Sequence, residues 1–346
     1  MRRHPAVTTV ALVCLTLVAV GAGASQAKTT PPTASAALRV GVSTVQYDSP
    51  GGTVPTIVTV YNAPAGYQVA ISATGIGGAT ATCATGWWRN PVRNTVSRTC
   101  YLRMPNRAGS YNLRGTAKLT KGKSVRVVSA ASARPVTADG KPSPTPMSAA
   151  TIRQIERCGN TTSNVWLTFD DGGSPAQVAS LLATLKRNNV KARFFFRGDW
   201  ARKNPTLLPR IKAAGHVIGN HTSTHRSMNR DSRATILQQI DGGTAATGTP
   251  KLLRPPFGAG AFTTRLQQEV KLRGYQLCRW TTDTYDWEGT STARMVERIT
   301  YGDQRSAPIT AGGNILMHGH AKNTAPGLQK IINAVRAKKL KLQPLR

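Results

Sequence analysis

From Val165 onward the chain repeats one unit, a short apolar run followed by an amphipathic stretch with helical spacing. VWLTF leads into PAQVASLLATLKRNN, ARFFFRG into NPTLLPRIKAAG, and HVIGNH into SRATILQQI. The alternation continues as KLLRPPFG with TTRLQQEVKLRG, YQLCRWTTD with TARMVERIT, and GNILMHGH with PGLQKIINAVRAKK, before a last run LKLQPL. Each helix returns the backbone to the end of the sheet where the previous strand began, so the strands pair in parallel. The pattern predicts an α/β fold: a compact, distorted or incomplete (β/α) barrel, with an open doubly wound sheet as the alternative.

The preceding part reads differently. Residues 38–137 carry Val, Thr, Gly and Tyr in short runs such as TIVTVYNAP, YQVAISATG, YNLRGTAKLT and SVRVVSA, punctuated by SPGG, NAPAG and KGK. Strand-sized runs between turn signals predict a small all-β domain, an antiparallel sandwich of immunoglobulin-like type. KPSPTPMSAA, Lys141 to Ala150, alternates Pro with Ser and Thr and marks an extended linker, set at residues 138–152. The barrel domain is then residues 153–346. At the other end, Arg2 and Arg3 precede an apolar run, Val7 to Val20, and small residues up to Ala27. This is the layout of a secretory signal peptide over residues 1–27, and its apolar run is shorter than the roughly 20 residues of a spanning helix. With the leader removed, no membrane span is expected, and the protein belongs outside the cell, in contact with its wall.

Four cysteines remain beyond the leader: Cys83, Cys100, Cys158 and Cys278. An even number in an exported chain points to disulfides, with three connectivities open. Nearness in sequence favours Cys83–Cys100 and leaves Cys158–Cys278 to tie the start of the second domain to one of its strands. There is no CxxC pair or thiolate cluster, so a Cys-ligated zinc site is not expected. Trp87 and Trp88 stand inside the first loop, where an aromatic pair either packs in a core or stacks on sugar rings.

Lys and Arg number 46 against 14 Asp and Glu, a net charge of +32. Such a field attracts polyanions, which for an exported chain are teichoic acids, acidic glycans and anionic headgroups. The basic residues are scattered and form no recognition helix, zinc finger or RNA-binding signature, so no specific nucleic acid is expected. An anionic cell wall is the expected partner. Nothing demands more than a monomer.

Where acids are this scarce, LTFDDGGSP still places Asp170 and Asp171 side by side behind a buried strand. A buried carboxylate is costly unless something pairs with it. Neighbours along a strand face opposite ways, so the two converge only where the strand ends, at a turn allowed by Gly172 and Gly173. In β/α barrels the catalytic groups gather at the C-terminal strand ends. The other predicted ends carry His221 to His225 (HTSTH), Arg254 to Gly258 (RPPFG), Asp283 to Trp287 (DTYDW) and Ile315 to His318 (ILMH). His221 and His225, four apart, would share one face of a helical turn and suit a single divalent ion. One aspartate of the pair completes a His-His-Asp site with positions left for water and substrate, and the other stays available as a base. No GxSxG elbow is present, so a serine esterase is not expected.

Taken in order, TFDDG, HTSTH, RPPFG, DTYDW and LMH make residues 163–346 resemble the polysaccharide deacetylase family, the NodB-homology domain of carbohydrate esterase family four. The resemblance implies Asp170 as general base and Asp171, His221 and His225 as metal ligands. It implies Arg254 as the group that orients and charge-stabilises Asp170, and Asp286 as the partner of His318, the general acid. It further implies that the backbone N–H of Phe257 meets the oxyanion, and that Trp287 and Leu316 wall the pocket for the acetyl methyl. The implied cofactor is a divalent ion, zinc first, although a His/Asp set also accepts cobalt, manganese or nickel.

The implied activity is that of a secreted polysaccharide N-deacetylase acting on polymers of N-acetylglucosamine, peptidoglycan or chitin-like. Two alternatives are O-deacetylation of acetylxylan by the same machinery and a non-catalytic wall-binding protein with a structural metal. An intact Asp170 and His318 speak against the second. Two departures stand out: GGSP, where the family more often has proline directly after the first glycine, and Gly319-His320, where an acidic or polar residue is more usual. His320 has no implied role.

Overall fold

The computed structural model describes residues 37–44, 47–48, 51–83, 87–89, 95–133, 135–138, 147–228, 231–248, 251–303 and 305–345. The expected leader and most of the expected linker lie outside the described residues, as do the side chains of Trp87 and Trp88.

The second region is built on seven strands: β1 (Trp166–Asp171), β2 (Ala192–Phe196), β3 (Val217–Asn220), β4 (Leu252–Leu253), β5 (Gln276–Leu277), β6 (Thr282–Asp283) and β7 (Asn314–His318). Their order in space is β5-β4-β3-β2-β1-β7-β6, and every neighbouring pair is parallel. The edges β5 and β6 are consecutive in sequence. Laid flat, edges six steps apart would stand about 29 Å from each other at ~4.8 Å per step. The five residue steps from Leu277 to Thr282 span at most about 18 Å. The sheet therefore has to curl, and it forms a parallel half-barrel.

One correction follows. YQLCRWTTD is not one strand but two, on opposite edges. Cys278 N–H is held by Leu253 O (2.8 Å) beside β4, while Thr281 N–H reaches Asn314 O (3.1 Å) beside β7. The last apolar run, LKLQPL, makes only isolated bridges, Val165 with Leu342 and Val190 with Pro344.

Strand alternation sorts the side chains. Phe194 and Phe196 face outward into a core with Phe169, Ile315 and Met317, covered by Leu181, Leu185, Leu328 and Ile332 from helices Pro175–Arg187 and Thr324–Ala337. The first of these helices starts where its sequence dictates. Ser174 and Gln177 form a capping box, and Pro175 occupies the first turn. Phe195 faces the other way, against the Cys158–Cys278 disulfide. That bond closes a sequence separation of 120 residues. Replacing both cysteines by Ala is expected to cost about 2–5 kcal/mol, read by calorimetry as a fall in Tm from the oxidised protein. An unchanged Tm would show that the bond does not constrain the unfolded chain.

The first region is all-β and largely antiparallel. One sheet orders Arg39–Thr44, Thr53–Tyr61, Val96–Arg103 and Thr80–Cys83; the other centres on Gln68–Ile76 and Gly109–Lys121. The two layers face each other closely. A Cβ on Gly115 would lie 2.6 Å from Val58 and 3.0 Å from Val42 on the opposite sheet. Cys83–Cys100 joins two neighbouring strands of one sheet, so it staples that layer and does not clamp the two layers together.

This region lies against the barrel on the side where β5 and β6 approach. Ser97 Oγ and Thr59 Oγ1 both donate to Asp303 O, at 2.8 and 3.4 Å. Tyr101 donates its hydroxyl to Glu156 and sets its ring edge-on to Phe262.

Candidate active site

Asp170 and Asp171 end β1, and the turn begins one residue earlier than expected. Asp171 itself is left-handed (φ 68), and Gly172 N–H donates to Asp170 O at 2.8 Å. Gly172 follows at φ 120, where a Cβ would stand 2.4 Å from the Trp200 ring, so only glycine fits. The reversal carries the Asp171 carboxylate to the side of the strand that Asp170 already faces.

HTSTH is not a helical turn, which corrects the expectation. Residues 221–228 form a loop in which Thr222 (φ 67) and His225 (φ 62) are left-handed. Side chains replace the helix ladder: Thr222 N–H donates to Asn220 Oδ1 (2.7 Å), Thr224 N–H to Gln239 Oε1 (3.0 Å) and His225 N–H to Thr222 Oγ1 (3.2 Å). The two imidazoles meet all the same, with ring centroids 4.9 Å apart.

Nε2 of His225 lies 3.3 Å and Nε2 of His221 3.6 Å from Asp171 Oδ1. Nδ1 of His221 is 2.8 Å from Arg254 O. A carbonyl only accepts, so Nδ1 carries the proton and Nε2 turns a lone pair toward Asp171. Burial, and then the neighbouring His221, push His225 down to about 4, the neutral form. Asp171 Oδ1 is buried and has no hydrogen-bond partner among the described residues. Lone pairs converging on an orphaned carboxylate oxygen repel one another unless a cation sits among them. The three donor atoms lie within 4.8 Å of one another, so the set fits a divalent ion.

Asp170 also stands 3.6 Å from His221 Nε2, through Oδ2, but its hydrogen-bonded partner is Arg254. Its Oδ1 accepts from Arg254 Nη1 at 2.6 Å, and the same nitrogen donates to Thr168 Oγ1 at 2.9 Å. Arg254 is wholly buried, 4.0 Å over the Phe195 ring, and its Nη2 donates to Arg279 O. The cystine, Phe195, Arg254 and Asp170 thus stack as one column inside the half-barrel.

Across the strand pair, Asp170 stands in register with His318 on β7. Asp286, also wholly buried, accepts four hydrogen bonds: from His318 Nδ1 (2.8 Å), His318 N–H (2.7 Å), Trp287 N–H (3.0 Å) and the Thr324 hydroxyl. Nε2 is therefore the His318 nitrogen left for the cavity. Burial opposes the imidazolium, yet the Asp286 hydrogen bond and charge, with Asp170 and Asp171 behind them, raise His318 to about 9.

Asp170, Asp171, His225, His318, Trp287 and Leu316 line one cavity of about 430 Å³. Leu316 is buried in its wall, Trp287 half-exposed, and Phe257, left-handed at φ 60, sets its ring 4.7 Å from His225. Arg254 and Asp286 stand behind the lining. His320 sits half-exposed at the rim, its Nδ1 3.7 Å from Asp171 Oδ2. Sequence reasoning missed Thr168, Gln239 and Thr324. Each acts through a contact that closes only in the fold; Thr168 heads TFDDG without an implied role, and Gln239 and Thr324 fall in no motif.

The family described as polysaccharide deacetylase matches residues 159–278. The chain is 34% identical over 188 residues to a peptidoglycan-N-acetylglucosamine deacetylase of Bacillus cereus, covering 51% of this chain and 64% of that one. It is 32% identical over 182 residues to the peptidoglycan-N-acetylglucosamine deacetylase PgdA of Listeria monocytogenes, covering 51% and 37%. A chitooligosaccharide deacetylase of Sinorhizobium fredii is 28% identical over 173 residues, covering 48% and 77%. The chain thus spans less than two thirds of the length of the first two relatives.

Proposed function

We propose that this chain, whose residues 159–278 belong to the polysaccharide deacetylase family, is a secreted, metal-dependent hydrolase that removes N-acetyl groups from polymers of N-acetylglucosamine. One observation carries the reading. The paired aspartates both stand 3.6 Å from His221 Nε2, but only Asp171 also meets His225 and only Asp170 pairs with the Arg254 guanidinium, and both face the cavity beside His318. A binding protein has no use for a carboxylate held in reserve or for a raised imidazole.

Asp171, His221 and His225 would hold the ion, with zinc the best match to this donor set and cobalt, manganese or nickel also accepted. When bound, the ion acts as a Lewis acid toward the acetyl carbonyl and the attacking water. Asp170, fixed by Arg254, takes the proton of the water as its oxygen bonds to the acetyl carbon. The backbone N–H of Phe257 donates to the oxyanion that forms. His318 gives its Nε2 proton to the amine as the C–N bond breaks, releasing acetate and a free amino sugar. Trp287 and Leu316 enclose the methyl group.

The all-β region is read as an immunoglobulin-like accessory module, and the +32 charge fits residence on an anionic wall. Both substrates named for the relatives, peptidoglycan and chitooligosaccharide, are N-acetylated. The test is acetate release from peptidoglycan, chitooligosaccharide and acetylxylan, with and without chelator. Release from the N-acetylated glycans, lost to chelator and restored by zinc, is expected. Release indifferent to chelator, or confined to acetylxylan, overturns the reading.

A further inference from the structure

The cavity extends past the paired aspartates to Arg279, Glu156 and Asp283, and there the first region supplies its wall. Pro55 and Ile57 on Thr53–Tyr61 and Thr99 on Val96–Arg103 line the same cavity as Asp170 and His318. Arg279 is held in a built slot. Its guanidinium lies 4.6 Å from the Trp280 ring centre and 5.2 Å from that of Phe262. A Cβ on Gly258 would come within 2.9 Å of its Nε, so the glycine makes the room it occupies. Yet Nε is buried without an acceptor, and the side chain has no ion pair or hydrogen bond among the described residues. Arg305, the other arginine lining this cavity, is already paired with Glu288.

The acids facing Arg279 are engaged elsewhere. Glu156 takes the Tyr101 hydroxyl and is raised to about 7 by burial. Asp283 takes the Tyr285 N–H at 2.8 Å and is raised to about 6 by burial. A planar guanidinium stacked on an aromatic face, with no acceptor for its fork, matches a carboxylate better than any neutral group.

We infer that Arg279 is a specificity residue of the cleft, binding a carboxylate carried on the sugar next to the one deacetylated, against a wall built by the all-β region. This rests on the deacetylase reading and narrows its substrate to glycans whose alternate sugars bear a free acidic ether, as in peptidoglycan strands stripped of their peptides. The all-β region is then part of the substrate site.

The test titrates the full chain with three probes: a tetrasaccharide of alternating N-acetylglucosamine and N-acetylmuramic acid, the uncharged tetramer of N-acetylglucosamine, and sodium acetate. Wild type is expected to bind the acidic tetramer about tenfold more tightly than the neutral one, and Arg279→Gln to bring the two within about twofold. Thr99→Glu, which sets a negative charge on the β wall and leaves Arg279 in place, is expected to shrink the same ratio; this arm stands even if Arg279→Gln fails to fold. No preference in wild type overturns the inference, and so does a preference that survives both substitutions. Acetate displacing the acidic tetramer at equal concentration would assign Arg279 to the released product and overturns it too. Acetate release is followed in the same samples. Its absence from both glycans defeats the deacetylase reading, while the binding ratio still decides this one.

Discussion

Asp170→Asn is expected to lower kcat about 10³-fold while the protein keeps its metal. The substitution preserves shape and removes only the ability to take a proton. Its cost has a second part. Arg254 is wholly buried, and Asp170 is the carboxylate it pairs with, at 2.6 Å. Taking the charge from one partner of a buried pair leaves the other uncompensated, at roughly 3–5 kcal/mol. Stability should therefore fall along with activity, though the two separate by measurement. Denaturant unfolding reports the first, kcat for acetate release at a temperature where the variant is folded reports the second, and elemental analysis shows the metal retained. Asp171→Asn should do the reverse and lose the metal. A kcat within tenfold of wild type for Asp170→Asn would remove Asp170 from the role of base.

The contrast between these two neighbours was readable in the sequence only in part. That DD must split its duties follows from repulsion and from the strand-end position. Which residue turns does not, because the reversal rests on a left-handed Asp171, a conformation the glycines after it disguise. HTSTH misled in a related way. A four-residue spacing of like side chains is the signature of a helix, but Thr222 and His225 adopt left-handed backbone, and Asn220 and Gln239 supply the hydrogen bonds a helix would have made. The spacing brings the two imidazoles together and is wrong for the backbone.

The parallel sheet was evident because alternation of strand and helix is local and repeated. Its curl was not. It follows from the division of YQLCRWTTD between two edges, which depends on where Leu253 and Asn314 stand in space. Arg279 lies in that same crossing segment. Its importance is invisible until the fold sets it between Phe262, Trp280 and the all-β wall.

The second large effect concerns the acid. With His318 raised to about 9, the proton it is proposed to donate is in place at neutral pH, and kcat should fall only as pH rises through about 9. The same shift gives the fold a contribution that is complete below the ordinary histidine value of about 6.5 and fades as pH climbs through the raised one. Asp286→Asn removes the two largest contributions raising His318 and leaves burial, the largest single contribution and of opposite sign, against the smaller ones of Asp170 and Asp171. The alkaline limb should then move below about pH 6.5, and at pH 8 kcat should drop roughly 10–100-fold, the protonated fraction that remains. The amide oxygen introduced there could still accept from the Thr324 hydroxyl and the His318 N–H, so the loss should shrink as pH is lowered. That recovery is what separates a missing proton from a misplaced ring. A kcat profile for Asp286→Asn whose alkaline limb stayed near pH 9 would mean that another group supplies the proton, and His318 would then be a neighbour of the chemistry and no part of it.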